Sequence, residues 1–159
     1  MKYRMLSNEE LEHLEGDLKA FLILNGVAGD DWKALNETDP DKAIALVELF
    51  SDKVLETVYE KVEYLEHRSP DMCLVFHLGE KDQSLITIQR TEGSSLDLST
   101  PEGIHEALTK RISELEFFTS KHAYHKEREM EVHKLITQGC VLSTKEFWDA
   151  LMEVISAED

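Results

Sequence analysis

Apolar residues recur at a helical period between Asp39 and Arg68. Ala43, Val47, Phe50, Val54, Val58 and Leu65 fall on one line, and Ile44, Leu46, Leu55 and Val62 widen it to about half the circumference. Asp39 suits an N-cap and Pro40 a first helical residue, while Asp41 adds negative charge to the first turn. Pro70 disfavours helix at Ser69, and His67 and Arg68 place positive charge in the last turn. The pattern predicts one helix over 40–67, roughly 28 residues or about 42 Å long, around which the chain is organised.

Upstream, Ser7 and Glu10 fit a capping box, with Leu6 and Leu11 as its hydrophobic staple. Leu11, Leu14, Leu18, Phe21 and Leu22 then share a face up to Gly26, a C′ candidate. Asp30 to Asn36 reads as a short helix anchored by Trp32 and Leu35.

Downstream of Pro70 the period falls to two. Met72, Leu74, Phe76 and Leu78 alternate with Cys73, Val75 and His77, and after a loop over 79–83 a second strand covers 85–88, which predicts a hairpin. Leu96 and Leu98 suggest a short third strand. Thr100-Pro101 opens another helix, with Ile104, Leu108, Ile112, Leu115 and Phe118 on one face. Lys121 to Lys134 reads as an exposed, highly charged helix, Gly139 as a stop, and Ser143 with Glu146 as a second capping box before a last helix. The expected fold is α+β: a mainly helical single domain over 1–159, around one long central helix, with a small antiparallel hairpin or three-stranded sheet.

Composition narrows the functional classes. The chain has 159 residues, 42% of them hydrophobic, and a formal net charge of −16. Acids outnumber bases 16 to 8 over residues 1–70 and 17 to 9 over 71–159, so the excess is −8 in each part and no acidic tail is segregated. Such a surface repels phosphates, which argues against direct nucleic-acid binding. No apolar run reaches the length of a membrane span, and the N-terminus lacks a signal-peptide core, so a cytoplasmic setting is the expectation. Two cysteines make neither a disulfide framework nor a metal knuckle.

Taken together, Met1-Lys2-Tyr3-Arg4, Leu6-Ser7, Asn25-Gly26, Asp39-Pro40, Leu49-Phe50-Ser51-Asp52 and Tyr64-Leu65-Glu66-His67-Arg68 resemble an uncharacterised bacterial family of the Bacteroidetes type. The resemblance covers essentially the whole chain. It implies a bacterial, cytoplasmic protein of unknown function and brings no catalytic motif.

Two side-chain sets suggest a site. Glu48, Asp52, Glu56 and Glu60 follow one another at i,i+4 on the long helix, where like charges destabilise by roughly 0.2–0.5 kcal/mol per pair. The row is either a solvated face of an acidic protein or a docking strip for a basic protein partner. On a continuous helix, His122, His125, Glu129 and His133 fall within about an 80° arc, and two or three of them could chelate a divalent transition metal. With 22 glutamates and seven histidines in the chain, such a set also arises by chance.

Weaker signals are the Glu-x-x-His spacings at Glu10/His13 and Glu102/His105, which match a di-metal helix bundle. Cys140 after Gly139 reads either as a core or neutral cysteine or as a thiol near a helix start, where its pKa could fall. Cys73 and His77 read as strand packing, and Trp32 as a core anchor or part of a partner surface. The first functional expectation is a non-enzymatic interaction or regulatory protein that presents the acidic surface to a basic partner. The alternative is a metal-binding protein or metalloenzyme using the His/Glu stripe. Homodimerisation through the long helix or the hairpin edge is a further expectation.

Overall fold

The computed structural model describes residues 1–158. It is α+β, with seven α-helices and one five-stranded antiparallel sheet among the described residues. The chain divides into two compact units, Met1–Glu60 and the part from Lys61 onward.

The first unit is helical: α1 (Asn8–His13), α2 (Glu15–Leu24), α3 (Gly29–Thr38) and α4 (Pro40–Glu60). The Ser7/Glu10 capping box is present in both directions. Gly26, at φ 82°, ends α2, with the Val27 N–H on the Leu22 carbonyl and its own N–H on that of Ile23, a Schellman closure. The Asp39 carboxylate accepts from the Lys42 N–H, as an N-cap should. Ala43, Phe50, Leu55 and Tyr59 form the buried stripe of α4, and the Phe21 and Phe50 rings meet at 5.4 Å.

The long helix is shorter than its periodicity predicts. It stops at Glu60, and Tyr64–Arg68 form β1. Val58, Val62 and Leu65 satisfy a helical spacing, but the backbone of 64–68 pairs with strands on both sides. That non-local ladder overrides local pattern. Successive strand side chains point to opposite faces, so buried Leu65 and buried Glu66 mean that β1 is covered on both faces.

The second unit continues with β2 (Met72–Leu78), β3 (Asp82–Arg90), α5 (Pro101–Lys110), a 3₁₀ turn (Ile112–Glu114), β4 (Leu115–Ala123), α6 (Arg128–Thr137), β5 (Val141–Leu142) and α7 (Lys145–Glu158). The sheet order is β4-β3-β2-β1-β5. The hairpin of β2 and β3 stands where alternation predicts it. The expected third strand at 96–98 is instead a loop whose Leu96 and Leu98 are buried.

The true partner of β3 is β4, which the helical spacing of Ile112, Leu115 and Phe118 concealed. The helix opened by Thr100 and Pro101 ends at Lys110, not at Phe118. Phe117, Phe118 and Thr119 are good strand formers, and nine consecutive residue pairs bind 115–123 to β3.

Register sets the core. Cys73, Val75, Ile86 and Ile88 share one face and cluster with Leu96, Leu98, Ile104, Ala107 and Leu151, with Trp148 and Ile155 of α7 packed against them. Gly139, at φ 105°, closes α6 with the Cys140 N–H on the Leu135 carbonyl. At α7 the hydroxyl that caps is that of Thr144, which accepts from the Phe147 N–H. Ser143, expected in that role, gives its N–H to the Tyr64 carbonyl and prolongs β5.

Candidate functional site

The acidic row of α4 is partly engaged by the chain itself. The Asp52 carboxylate accepts the backbone N–H groups of Lys2 at 2.6 Å and Tyr3 at 2.9 Å. Glu56 accepts from the Tyr3 hydroxyl and, at 3.3 Å, from the Lys2 ammonium. Burial, reinforced by the Glu56 carboxylate, drives the Tyr3 hydroxyl pKa upward. The Tyr3 and Tyr59 rings meet edge to face at 5.1 Å. Next along, the Leu6 N–H donates to the buried Ser51 hydroxyl, which donates in turn to the Val47 carbonyl. Residues 2–6 thus form a clasp along α4. Of the four acids, Glu48 and Glu60 lie outside it; Glu60 is exposed and Glu48 half-buried.

The clasp is anchored to α1 as well. The Arg4 guanidinium grips Glu10 through two nitrogens, at 2.8 and 3.0 Å. That contact, with the Ser7 N–H, holds the Glu10 carboxyl at about 2. Glu10 is therefore a capping and clasp residue.

The His/Glu stripe does not lie on one helix. His122 is on β4, exposed His125 is in the link 124–127, and only Glu129 and His133 share α6, one turn apart. The arc assumed helix through 122–127, where the chain is a strand followed by a link. Glu129 faces the Arg128 guanidinium at 3.5 Å.

Arg128 itself went unnoticed in the sequence. Its largely buried guanidinium donates to the carbonyls of Val62, Leu78 (3.1 Å) and Gly79 (3.2 Å), and the Tyr124 hydroxyl donates to Gly79 at 2.7 Å. It closes one end of the sheet. An arginine in the middle of a charged segment looks like surface, so no pattern could have shown this.

Cys140 follows the C-terminal end of α6, not a helix start. It is buried, and desolvation raises its pKa, which fits the core-cysteine reading and not the reactive-thiol one. Cys73 is fully buried in β2 and pushed up to about 12. His77 stacks on Tyr64 at 4.8 Å, beside Trp148, as packing.

Two hollows lie in the second unit. One, of about 380 Å³, is lined by Glu66, His67, Arg68, Ser99, Gly139 and Val141. Its Glu66 and Arg68 pair with each other, and Arg68 also sits over the Phe147 ring at 5.5 Å, so the charges cancel within the wall. The other, of about 480 Å³, runs between β4 and α7 and is lined among others by Thr119, Lys121, Trp148, Met152 and Ile155.

Beside that groove is one of the two edges of the sheet, β4. The Gly79 N–H bonds to the Asp82 carbonyl at 3.0 Å, closing the β2–β3 turn. From that pair, antiparallel alternation directs Gln83, Leu85, Thr87 and Gln89 toward β4. Their partners there are His122, Ser120, Phe118 and Glu116. The N–H and C=O groups of Phe117, Thr119 and Lys121 consequently point away from the sheet. None has a hydrogen-bond partner among the described residues. Residues 118–123 are all exposed, Phe118 at 52%.

The family model for DUF6495, a family of unknown function, matches residues 1–156, and the chain belongs to that family. No curated protein and no solved structure matches it.

Proposed function

We propose that this chain is a non-enzymatic interaction protein whose recognition element is the β4 edge, which takes an extended polypeptide segment as an added strand. The observation that carries this reading is the open ladder at Phe117, Thr119 and Lys121 beside the groove between β4 and α7. Strand addition draws affinity from main-chain hydrogen bonds and specificity from pockets that receive alternate side chains. The edge supplies the first and the groove, walled by Trp148, Met152 and Ile155, the second. A nine-residue edge strand without proline is also long by the standards of protected edges.

The test is selection of strand-length peptides from a random library on protein immobilised sparsely enough to be monomeric. Binders should lose affinity on a Thr119→Pro variant, because the Thr119 N–H faces outward and proline there blocks only the incoming strand. Failure to recover any Thr119-sensitive peptide overturns the reading.

A second reading, a basic protein partner on Glu48, Asp52, Glu56 and Glu60, is favoured by the lysine-bearing N-terminal segment already held by the row. Glu48→Gln with Glu60→Gln should weaken capture of a lysine-rich peptide and flatten its salt dependence; unchanged capture reduces the row to a solvated face. Either reading suits the bacterial, cytoplasmic setting that the resemblance implies. Among the described residues no helix is long and apolar enough to cross a membrane.

A further inference from the structure

The strand that β4 would take has a specific chemistry, and we infer that it is the β4 strand of a second copy, paired antiparallel about a twofold axis at Thr119. The inference rests on the strand-addition reading and adds the occupant.

Three features of the edge agree on one register. A twofold perpendicular to the sheet pairs residues whose numbers sum to an even value, because opposite side chains must share a face. Thr119 is the midpoint of Leu115–Ala123, so centring there overlaps the whole strand and pairs its outward-pointing groups: Thr119 with Thr119, Phe117 with Lys121. In that register Glu116 lies directly opposite His122 of the second copy. Exposed Phe118 lies opposite Ser120 and diagonal to the second Phe118, a separation of about 7–8 Å that aromatic side chains bridge. Centring on Phe118 or on Ser120 removes the Glu116–His122 pairing and shortens the overlap.

Charge also favours a copy of this chain at this place. The molecule carries −16, and two such molecules repel over most of their surface. Residues 115–126 are one of the few stretches without an acidic excess: Glu116 is their sole acid, against Lys121, which reaches Asp82 of β3 at 3.7 Å, Lys126, His122 and His125. Strand pairing at β4 joins two copies at a place where that repulsion is reduced.

Sedimentation equilibrium of the full chain over a wide concentration range tests this. The wild type should show a monomer–dimer equilibrium. Thr119→Pro should raise its dissociation constant about tenfold or more, with an unchanged circular dichroism spectrum. Glu116→Lys should weaken the dimer, and Glu116→Lys combined with His122→Glu should restore it; this swap keeps the test informative if the proline variant does not fold. A wild type that stays monomeric at every concentration overturns the second copy as occupant while peptide selection still judges strand addition. A dimer indifferent to both Thr119→Pro and the charge swap overturns the β4 interface itself.

Discussion

Two polar surfaces of this protein, the acidic row on α4 and the edge of β4, differ in what the fold has done with them. On α4 the charges are conspicuous, yet Asp52 and Glu56 already hold the backbone and side chains of Lys2 and Tyr3. On β4 the side chains are modest, but the backbone groups of Phe117, Thr119 and Lys121 face outward with no partner among the described residues. The comparison teaches that a run of charge is not itself an open valence. What the fold leaves unsatisfied says more about binding than what the composition makes prominent.

Substitutions can break or sharpen that contrast. The largest effect on stability is expected at Arg128, the most heavily engaged polar group of the second unit. Arg128→Ala strands the carbonyls of Val62 and Leu78, leaves that of Gly79 to the Tyr124 hydroxyl alone, and should cost about 3 kcal/mol in chemical denaturation. Asp52→Ala removes a carboxylate that accepts two backbone N–H groups and should cost about 1–2 kcal/mol while loosening residues 2–6, seen as faster amide exchange at Lys2 and Tyr3. If Asp52→Ala is silent, the clasp is not a stabilising element and the row regains its claim as a free surface.

Acid titration probes the same clasp more gently. The Glu10 carboxyl lies lower in the fold than in the unfolded chain, so its stabilisation is complete above the usual carboxylate range and disappears as pH falls toward about 2. Because the pair is well exposed, screening limits this to less than about 1 kcal/mol. Glu10→Gln should therefore lower Tm at pH 6 and make no difference near pH 2. The smallest stability effect is expected at the open edge. Thr119→Pro removes no bond to β3 and should shift monomer stability by no more than about 0.5 kcal/mol, even as it abolishes strand addition. A large loss in the monomer would show that the Thr119 N–H is engaged after all.

Much of the fold was readable residue by residue. Ser7 with Glu10, Asp39 with Pro40, Gly26, Thr100 with Pro101 and Gly139 act through bonds to neighbours within a few positions, so local sequence carries their meaning. The β2–β3 hairpin is equally local. The candidate sites were less legible. The acidic row was visible as charge, but its engagement by Lys2 and Tyr3 spans about fifty positions. The metal stripe presumed a helix through His122 and His125 that does not exist.

The sequence by itself determined the α+β class, the hairpin and the helix caps other than that of α7, because each depends on backbone groups satisfied close by. Only the tertiary structure decided the fates of Tyr64–Arg68 and Leu115–Ala123. Both have apolar spacings compatible with a helix, and both become strands because open edges of the sheet, β2 for the one and β3 for the other, offer their backbones hydrogen bonds that local pattern cannot foresee. The same long-range pairing leaves Phe117, Thr119 and Lys121 facing outward. The surface proposed here for recognition thus exists only once the sheet has formed.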